Sequence, residues 1–347
     1  MITRTTASSP KGEIVLFKIT NAKGASVTLS TLGAGIVSVV VPDAKGNMAD
    51  VTLGYANPAD YVADGPCSGK VPGRYANRIA KGHLEIDGKV YELPINNGPN
   101  HLHGGPAGFH KQNWKGEIDG DNRVVFTHLS PDGDAGYPGN LTAKATYTWS
   151  DDNVLYLTLE ATTDAKTVVN FTNHAYWNLA GHNSGSALGQ KLRLNASKYL
   201  PTDSTLIPEG VAVPVEGTPM DFTKAKEIGS DIHVDFPALK FGKGYDNCWV
   251  IDNWTPGVLA TAAVLTDDRS GRMLEVETDQ PGVQVYTGNW LAGCPVNKDG
   301  RSYNDYDGVA IECQDFPNSP NTPAFPSTIL NPGEVYCRHI NFKFKTI

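Results

Sequence analysis

The chain has 347 residues, 40% of them hydrophobic and 19% charged, with a formal net charge of −8. That composition provides ample core material and excludes a disordered chain, and the scattered lysines and arginines form no basic stripe, so neither nucleic acid nor an anionic membrane is the expected partner. No apolar run approaches the roughly 18 residues of a membrane span, and the segment after Met1 lacks the apolar centre of a signal peptide.

Cys67, Cys248, Cys294, Cys313 and Cys337 are dispersed, odd in number and without a CxxC pair, which fits reduced thiols better than a disulfide framework or a zinc knuckle. The expectation is a cytoplasmic protein, monomeric or homodimeric, with a small neutral ligand. Four matches to the glycan acceptor pattern carry no weight outside a secretory setting.

Short β-branched runs recur between turn signals from one end to the other. Residues 14–20, 27–31 and 36–41 open as a β-meander, and 83–86 with 90–93 flank Asp87-Gly88, a two-residue hairpin signal because both central positions favour positive φ. Strands are expected at 124–129, 141–149, 154–161 and 168–173. After a looser stretch they resume at 192–194, 248–251, 259–265, 273–277, 283–287, 309–313 and 335–344. The runs 273–277 and 283–287 read as a pair around Thr278-Asp-Gln-Pro-Gly282. Only 58–62 and 222–228 hint at short helices, and no sustained 3.6-residue stripe occurs. The fold class is therefore all-β, a large antiparallel β-sandwich, with residues 1–347 forming one domain.

Four segments carry more polar chemistry than folding needs. Gly73-Arg74-Tyr75-Ala76-Asn77-Arg78-Ile79 crowds two arginines and an asparagine, either a solvated loop or a fork of donors for ligand hydroxyls. Asn100-His101-Leu102-His103-Gly104-Gly105 pairs two imidazoles that would share a strand face. No third ligand follows nearby, so no metal is expected, and the glycines point to close ligand approach. In Asn170-Phe171-Thr172-Asn173-His174-Ala175-Tyr176-Trp177-Asn178, alternation sends Phe171 and Asn173 one way and Asn170, Thr172 and His174 the other, a face too polar for core packing alone.

The fourth segment is the carboxylate-bearing pair Gly244-Tyr245-Asp246 and Val309-Ala310-Ile311-Glu312-Cys313-Gln314. In the latter, parity puts Val309, Ile311 and Cys313 toward the core and Ala310, Glu312 and Gln314 on the other face. Val283 and Val285 oppose Gln284 and Tyr286 in the same way. Each polar residue taken singly is also compatible with a solvent-facing strand position.

Together these motifs, with Gln284-Val-Tyr-Thr-Gly-Asn289 and Asn173-His-Ala-Tyr-Trp-Asn-Leu179, resemble the aldose 1-epimerase (galactose mutarotase) family over nearly the whole chain. The resemblance implies a β-sandwich with an open sugar cleft, no cofactor and an aldohexose substrate. It casts Glu312 as general base, His174 as general acid and His103 as a second active-site histidine, with Asn77, Arg78, Asp246 and Gln284 binding substrate. Ala175, Trp177, Asn247 and Cys313 depart from the residues frequent in the family, which bears on sugar preference and pocket shape more than on the reaction.

Anomer exchange requires a base at the C1 hydroxyl and an acid at the ring oxygen. The pair is therefore expected to hold Glu312 ionised and His174 protonated. Tyr176, Trp177 and Tyr286 are candidates for an apolar wall. Two rivals remain from the residues alone: a glycoside hydrolase using two carboxylates, which leaves His174 unexplained, and a non-catalytic sugar-binding protein on the same fold. A phosphosugar substrate would call for a cationic cluster beyond Arg74 and Arg78.

Overall fold

The computed structural model describes residues 1–347. Three antiparallel sheets hold 20 of its 26 strands, and three two-stranded pairs hold the rest. Ile2–Ser9, Gly12–Thr20, Ser26–Ser30, Gly35–Pro42 and Met48–Asp50 make a five-stranded meander in chain order. Its first strand was not foreseen, because Ile-Thr-Arg-Thr-Thr-Ala-Ser-Ser has no apolar alternation and lies mostly exposed at the sheet edge.

A nine-stranded sheet holds the long strands Arg123–Ser130, Leu141–Trp149, Val154–Thr163, Tyr336–Thr346, Arg272–Thr278 and Ala260–Asp267 at its centre. The third sheet runs Tyr176–Trp177, Val309–Gln314, Gly282–Tyr286, Asp246–Val250, Lys198–Leu200 and Val213–Pro214. No helix is long and apolar enough to cross a membrane.

The nine-stranded sheet packs on the other two. Phe126 meets Phe17 of the meander edge-on, Trp149 Nε1 donates to Ala25 O at 3.2 Å, and Trp177 packs tilted against Phe342 and edge-on against Phe344. One apolar core of 58 buried residues runs between them, from Phe17 to Phe344. Val309, Ile311 and Cys313 enter it alongside Val283 and Val285, as strand parity requires. Glu312, Gln284 and Tyr286 are thereby turned to the opposite face of the six-stranded sheet, where the candidate site lies. Glu312 and Gln314 are nonetheless fully enclosed rather than solvent-facing.

Three expectations change. Residues 273–277 and 283–287 are not partners: the first strand belongs to the nine-stranded sheet and the second to the six-stranded one, so the turn between them is a corner. Side chains hold it to both sheets, with Gln280 Nε2 donating to Cys313 O at 2.8 Å and Asp279 Oδ1 accepting the His339 N–H at 2.8 Å. Turn-forming residues between two apolar strands fit a hairpin and a corner equally well. Residues 222–227 are not helical and only Ile228 opens a single 3-10 turn, Ile228–Ser230, while the one α-helix, Pro237–Gly242, is too short to show a period in sequence.

The third change concerns the segment before His174. Only Thr167–Val168 pairs as a strand, with Ile329–Leu330, and within 169–175 bridging is confined to an isolated parallel bridge between Asn170 and Tyr75. Side-chain amides bond its neighbours as well: Asn170 Nδ2 donates to Ala76 O and Asp315 O while its Oδ1 accepts from Asp315 N, and Asn173 Nδ2 donates to Gly69 O at 2.7 Å. The asparagines thus add to the backbone bonds that Asn170 makes with Arg74 and Ala76, which explains why so polar a segment is buried throughout.

Candidate active site

The cleft, roughly 670 Å³ in volume, opens on the face of the six-stranded sheet opposite the core. Glu312 projects into it from the strand Val309–Gln314. His174 faces it from the buried segment just described, held by His174 N donating to Lys70 O and Gly69 N donating to His174 O, both at 2.9 Å. Their side chains meet, with Nε2 of His174 3.5 Å from Oε1 of Glu312.

Asn77, Arg78, His103 and Asp246 line the same cleft. Arg78 Nη2 donates to Asp246 Oδ2 at 3.3 Å and its Nε to Asn97 Oδ1 at 3.1 Å. Gln284 sits beneath rather than on the cleft wall: its Nε2 donates to Asp246 Oδ1 at 2.7 Å, and register places it beside Glu312 on one side and Cys248 on the other. The aspartate expected to meet sugar hydroxyls is therefore fixed from two directions, one oxygen by an arginine and the other by a buried amide.

The two motif histidines part company. The strand ends at Leu102, and His103 takes a left-handed φ of 53°, so its ring leaves the face used by His101. His101 is a core group, with Nδ1 2.7 Å from Pro94 O and Nε2 2.7 Å from Tyr137 Oη, and burial pulls it down to about 4. His103 is paired with Asn77, itself at φ 64°: the Asn77 N–H donates to His103 Nδ1 at 3.1 Å and the His103 N–H to Asn77 O at 3.0 Å. With Nδ1 accepting, the ring proton sits on Nε2 and can be donated into the cleft.

The same tautomer bears on metal binding. Ligand atoms of His103, His174 and Glu312 come within 4.8 Å of one another, but a cation would have to displace the Nε2 proton of His103 while Nδ1 stays committed to Asn77. The donor set fits a hydrogen-bonding site better than a metal centre.

The glycines after His103 serve the backbone rather than a ligand. A Cβ on Gly104, at φ 80°, would fall 1.7 Å from Gly73 O, and one on Gly105 would meet the His101 ring. Arg74 also leaves the site. Its Nη1 donates to Pro138 O at 2.7 Å and Gly139 O at 2.9 Å, and its Nη2 to Ser130 Oγ at 2.6 Å, all buried. Arg74→Met strands those carbonyls, and a loss of about 2–4 kcal/mol of folding free energy is expected in urea titration.

Burial governs the protonation of the central pair. Tyr176 and Tyr286 bring their rings to 5.0 and 6.2 Å from that of His174. Desolvation pushes the Glu312 carboxyl well above its ordinary range, reinforced by Asp246 and opposed by Arg78. It pulls His174 down to about 4 against a smaller upward pull from Asp246, and pulls His103 well down too. Burial thus works against the charge expected on each group. Across the 3.5 Å contact, burial favours the neutral acid with the neutral imidazole, a pair that holds the same number of protons as the expected ion pair.

Alternation along Tyr176–Trp177 separates the aromatic candidates: Tyr176 and Tyr286 wall the cleft, whereas Trp177 is a core residue. Sequence reasoning missed part of the lining, contributed by Ser204, Thr205 and Leu206 and by Phe241 and Trp290. Trp290 is 65% exposed, and Lys243 Nζ lies 4.1 Å from its ring centroid. A lone loop aromatic such as Trp290, or one in a helix as short as Pro237–Gly242, carries no periodic signal that would have marked it.

A large antiparallel sandwich with a carboxyl–imidazole pair at the bottom of an open, hydrogen-bonding cleft places the molecule in the class of galactose mutarotase-like folds, and its neighbours among solved structures agree. An aldose epimerase homologue from C. elegans superposes with a TM-score of 0.88 at 30% identity, covering 99% of this chain and 100% of that one. The family profile described as Aldose 1-epimerase matches residues 15–343. The chain is 42% identical to galactose mutarotase of Mus musculus over 322 residues, 92% of this chain and 91% of the relative. It is 38% identical to aldose 1-epimerase of Escherichia coli over 347 residues, 99% of both. The chain belongs to the aldose 1-epimerase family.

Proposed function

We propose that this protein is an aldose 1-epimerase that interconverts the α and β anomers of aldohexoses such as D-galactose and D-glucose, with Glu312 and His174 as its acid/base pair. The observation that carries this reading is their 3.5 Å approach in a cleft lined by hydrogen-bonding groups. In the ring-opening direction Glu312 as carboxylate takes the C1 hydroxyl proton while His174 as imidazolium protonates O5; the C1–C2 bond rotates, and reclosure reverses both transfers. Ring opening converts the ionised pair into the neutral one, so the protonation state favoured by burial is the one that faces the open-chain aldehyde. The transfers cost no net proton, because both states carry the same number.

The remaining groups bind and orient. His103 donates its Nε2 proton toward a sugar oxygen, Asp246 accepts from hydroxyls, Arg78 and Asn77 donate, and Gln284 keeps Asp246 in place from beneath. Tyr176 and Tyr286 offer the apolar wall against which a pyranose face packs. We read residues 1–347 as one domain, in line with the continuous core. A cytoplasmic setting accords with the five free cysteines, and a monomer or homodimer with no nucleic acid or membrane partner remains the reading.

Polarimetry on freshly dissolved α-D-galactose and α-D-glucose tests this function. Rapid, enzyme-dependent approach to the equilibrium rotation is expected, with an aryl glycoside left intact under the same conditions. Release of reducing sugar from the glycoside would point to the hydrolase instead, and binding without any acceleration to a sugar-binding protein.

A further inference from the structure

On the outward side of the nine-stranded sheet, the strand Tyr336–Thr346 turns Cys337 and His339 to a common face, as residues two apart on a strand must. Sγ of Cys337 lies 3.9 Å from Nε2 of His339, and Nδ1 of His339 lies 2.7 Å from Oδ2 of Asp279. Asp279, itself buried, also accepts the backbone N–H of His339. The carboxylate therefore fixes both the place and the tautomer of the ring: with the proton on Nδ1, the Nε2 lone pair is aimed at the sulfur. Thiol, base and orienting carboxylate stand in the order that activates a cysteine nucleophile. None of the three lines the sugar cleft.

We propose that Cys337 is a reactive thiol, activated by the His339–Asp279 pair, and is the position at which this protein forms mixed disulfides with small disulfides. His339 Nε2 takes the thiol proton as the sulfur attacks one sulfur of the small disulfide; the new S–S bond forms, the old one breaks, and the departing thiolate takes the proton from the imidazolium. The surroundings make this transfer necessary. Burial, Glu160 and Asp279 push the resting thiol up, with Arg338 opposing, so the sulfur reacts by passing its proton to His339 rather than by standing ionised.

The other charges near the pair are already engaged. Glu160, opposite Cys337 in register, lies 3.5 Å from Lys144 Nζ, and Arg338 approaches Asp315 at 3.8 Å. Of the remaining cysteines, Cys67, Cys248 and Cys313 are buried, and the partly exposed Cys294 sits beside the Tyr55 hydroxyl instead of an imidazole. Cys294 is thus an internal reference.

The test is timed labelling of the native full-length protein near neutral pH with glutathione disulfide and, separately, iodoacetamide, with the modified cysteines mapped by mass spectrometry. The expected result is that Cys337 reacts about tenfold or more faster than Cys294 with both reagents, and that His339→Gln slows Cys337 by a similar factor while leaving Cys294 as it was. Equal rates at the two cysteines in the unaltered protein would overturn the proposal, as would an unchanged Cys337 rate in the variant. Should His339→Gln loosen the fold and expose the buried cysteines, the ratio of Cys337 to Cys294 in the unaltered protein decides by itself.

Discussion

Glu312→Gln is expected to lower kcat for mutarotation by roughly 10²–10⁴-fold, the range typical of a lost general base, and at the same time to raise the melting temperature at pH 7. The two effects share a cause. Burial raises the folded-state pKa of Glu312 well above the ordinary carboxylate value of 4.5. Its contribution to stability is then fully present below the unfolded-state pKa and is lost as pH rises toward the folded value, since ionisation of the released carboxyl favours unfolding. Glutamine keeps the shape and removes that loss. A gain in stability at pH 7 that shrinks to nothing near pH 4 is expected in paired thermal melts. A variant less stable than wild type at pH 7 would show that Glu312 is held as a carboxylate after all.

His174→Gln should cost kcat a comparable 10²–10⁴-fold or so while moving KM by only a few-fold, because Arg78, Asp246 and His103 still hold the sugar. Its pH signature runs the other way. The folded-state pKa of His174 is lowered from 6.5 to about 4, so between those values the unfolded chain binds the proton more readily and stability falls as pH falls. The glutamine variant lacks that proton uptake. It should therefore lose less stability than wild type between pH 6.5 and 4, by roughly 2–3 kcal/mol over the interval. Initial-rate polarimetry and acid titration of folding read the two parts separately.

Much of the site was legible because strand parity is a local rule. Two alternating runs, Val309–Gln314 and Gly282–Tyr286, suffice to turn Glu312, Gln284 and Tyr286 to one face and the valines to the core. What parity cannot tell is which strands become neighbours. Thr278-Asp-Gln-Pro-Gly282 reads as a hairpin until Gln280 and Asp279 are seen bonded to residues of two different sheets. The segment before His174 shows the same limit, since asparagines that bond distant backbone groups look in sequence like the polar face of a strand.

The protonation states were the least legible. They depend on how fully Tyr176 and Tyr286, from separate strands, shut water away from His174 and Glu312. Motif identity names the two groups but says nothing of the dielectric around them. Gln284 lies between these cases: its face was legible, but its place beneath Asp246 rather than on the cleft wall follows from side-chain packing alone.

Polarimetry of freshly dissolved α-D-galactose with Glu312→Gln, His174→Gln and the double variant measures most directly whether the two residues act as one acid/base pair on one ring. Groups that act as a unit give strongly non-additive losses. The double variant should then be about as slow as the slower single variant. Multiplying losses, or a single variant that folds and keeps the wild-type rate, would contradict the pairing of Glu312 with His174.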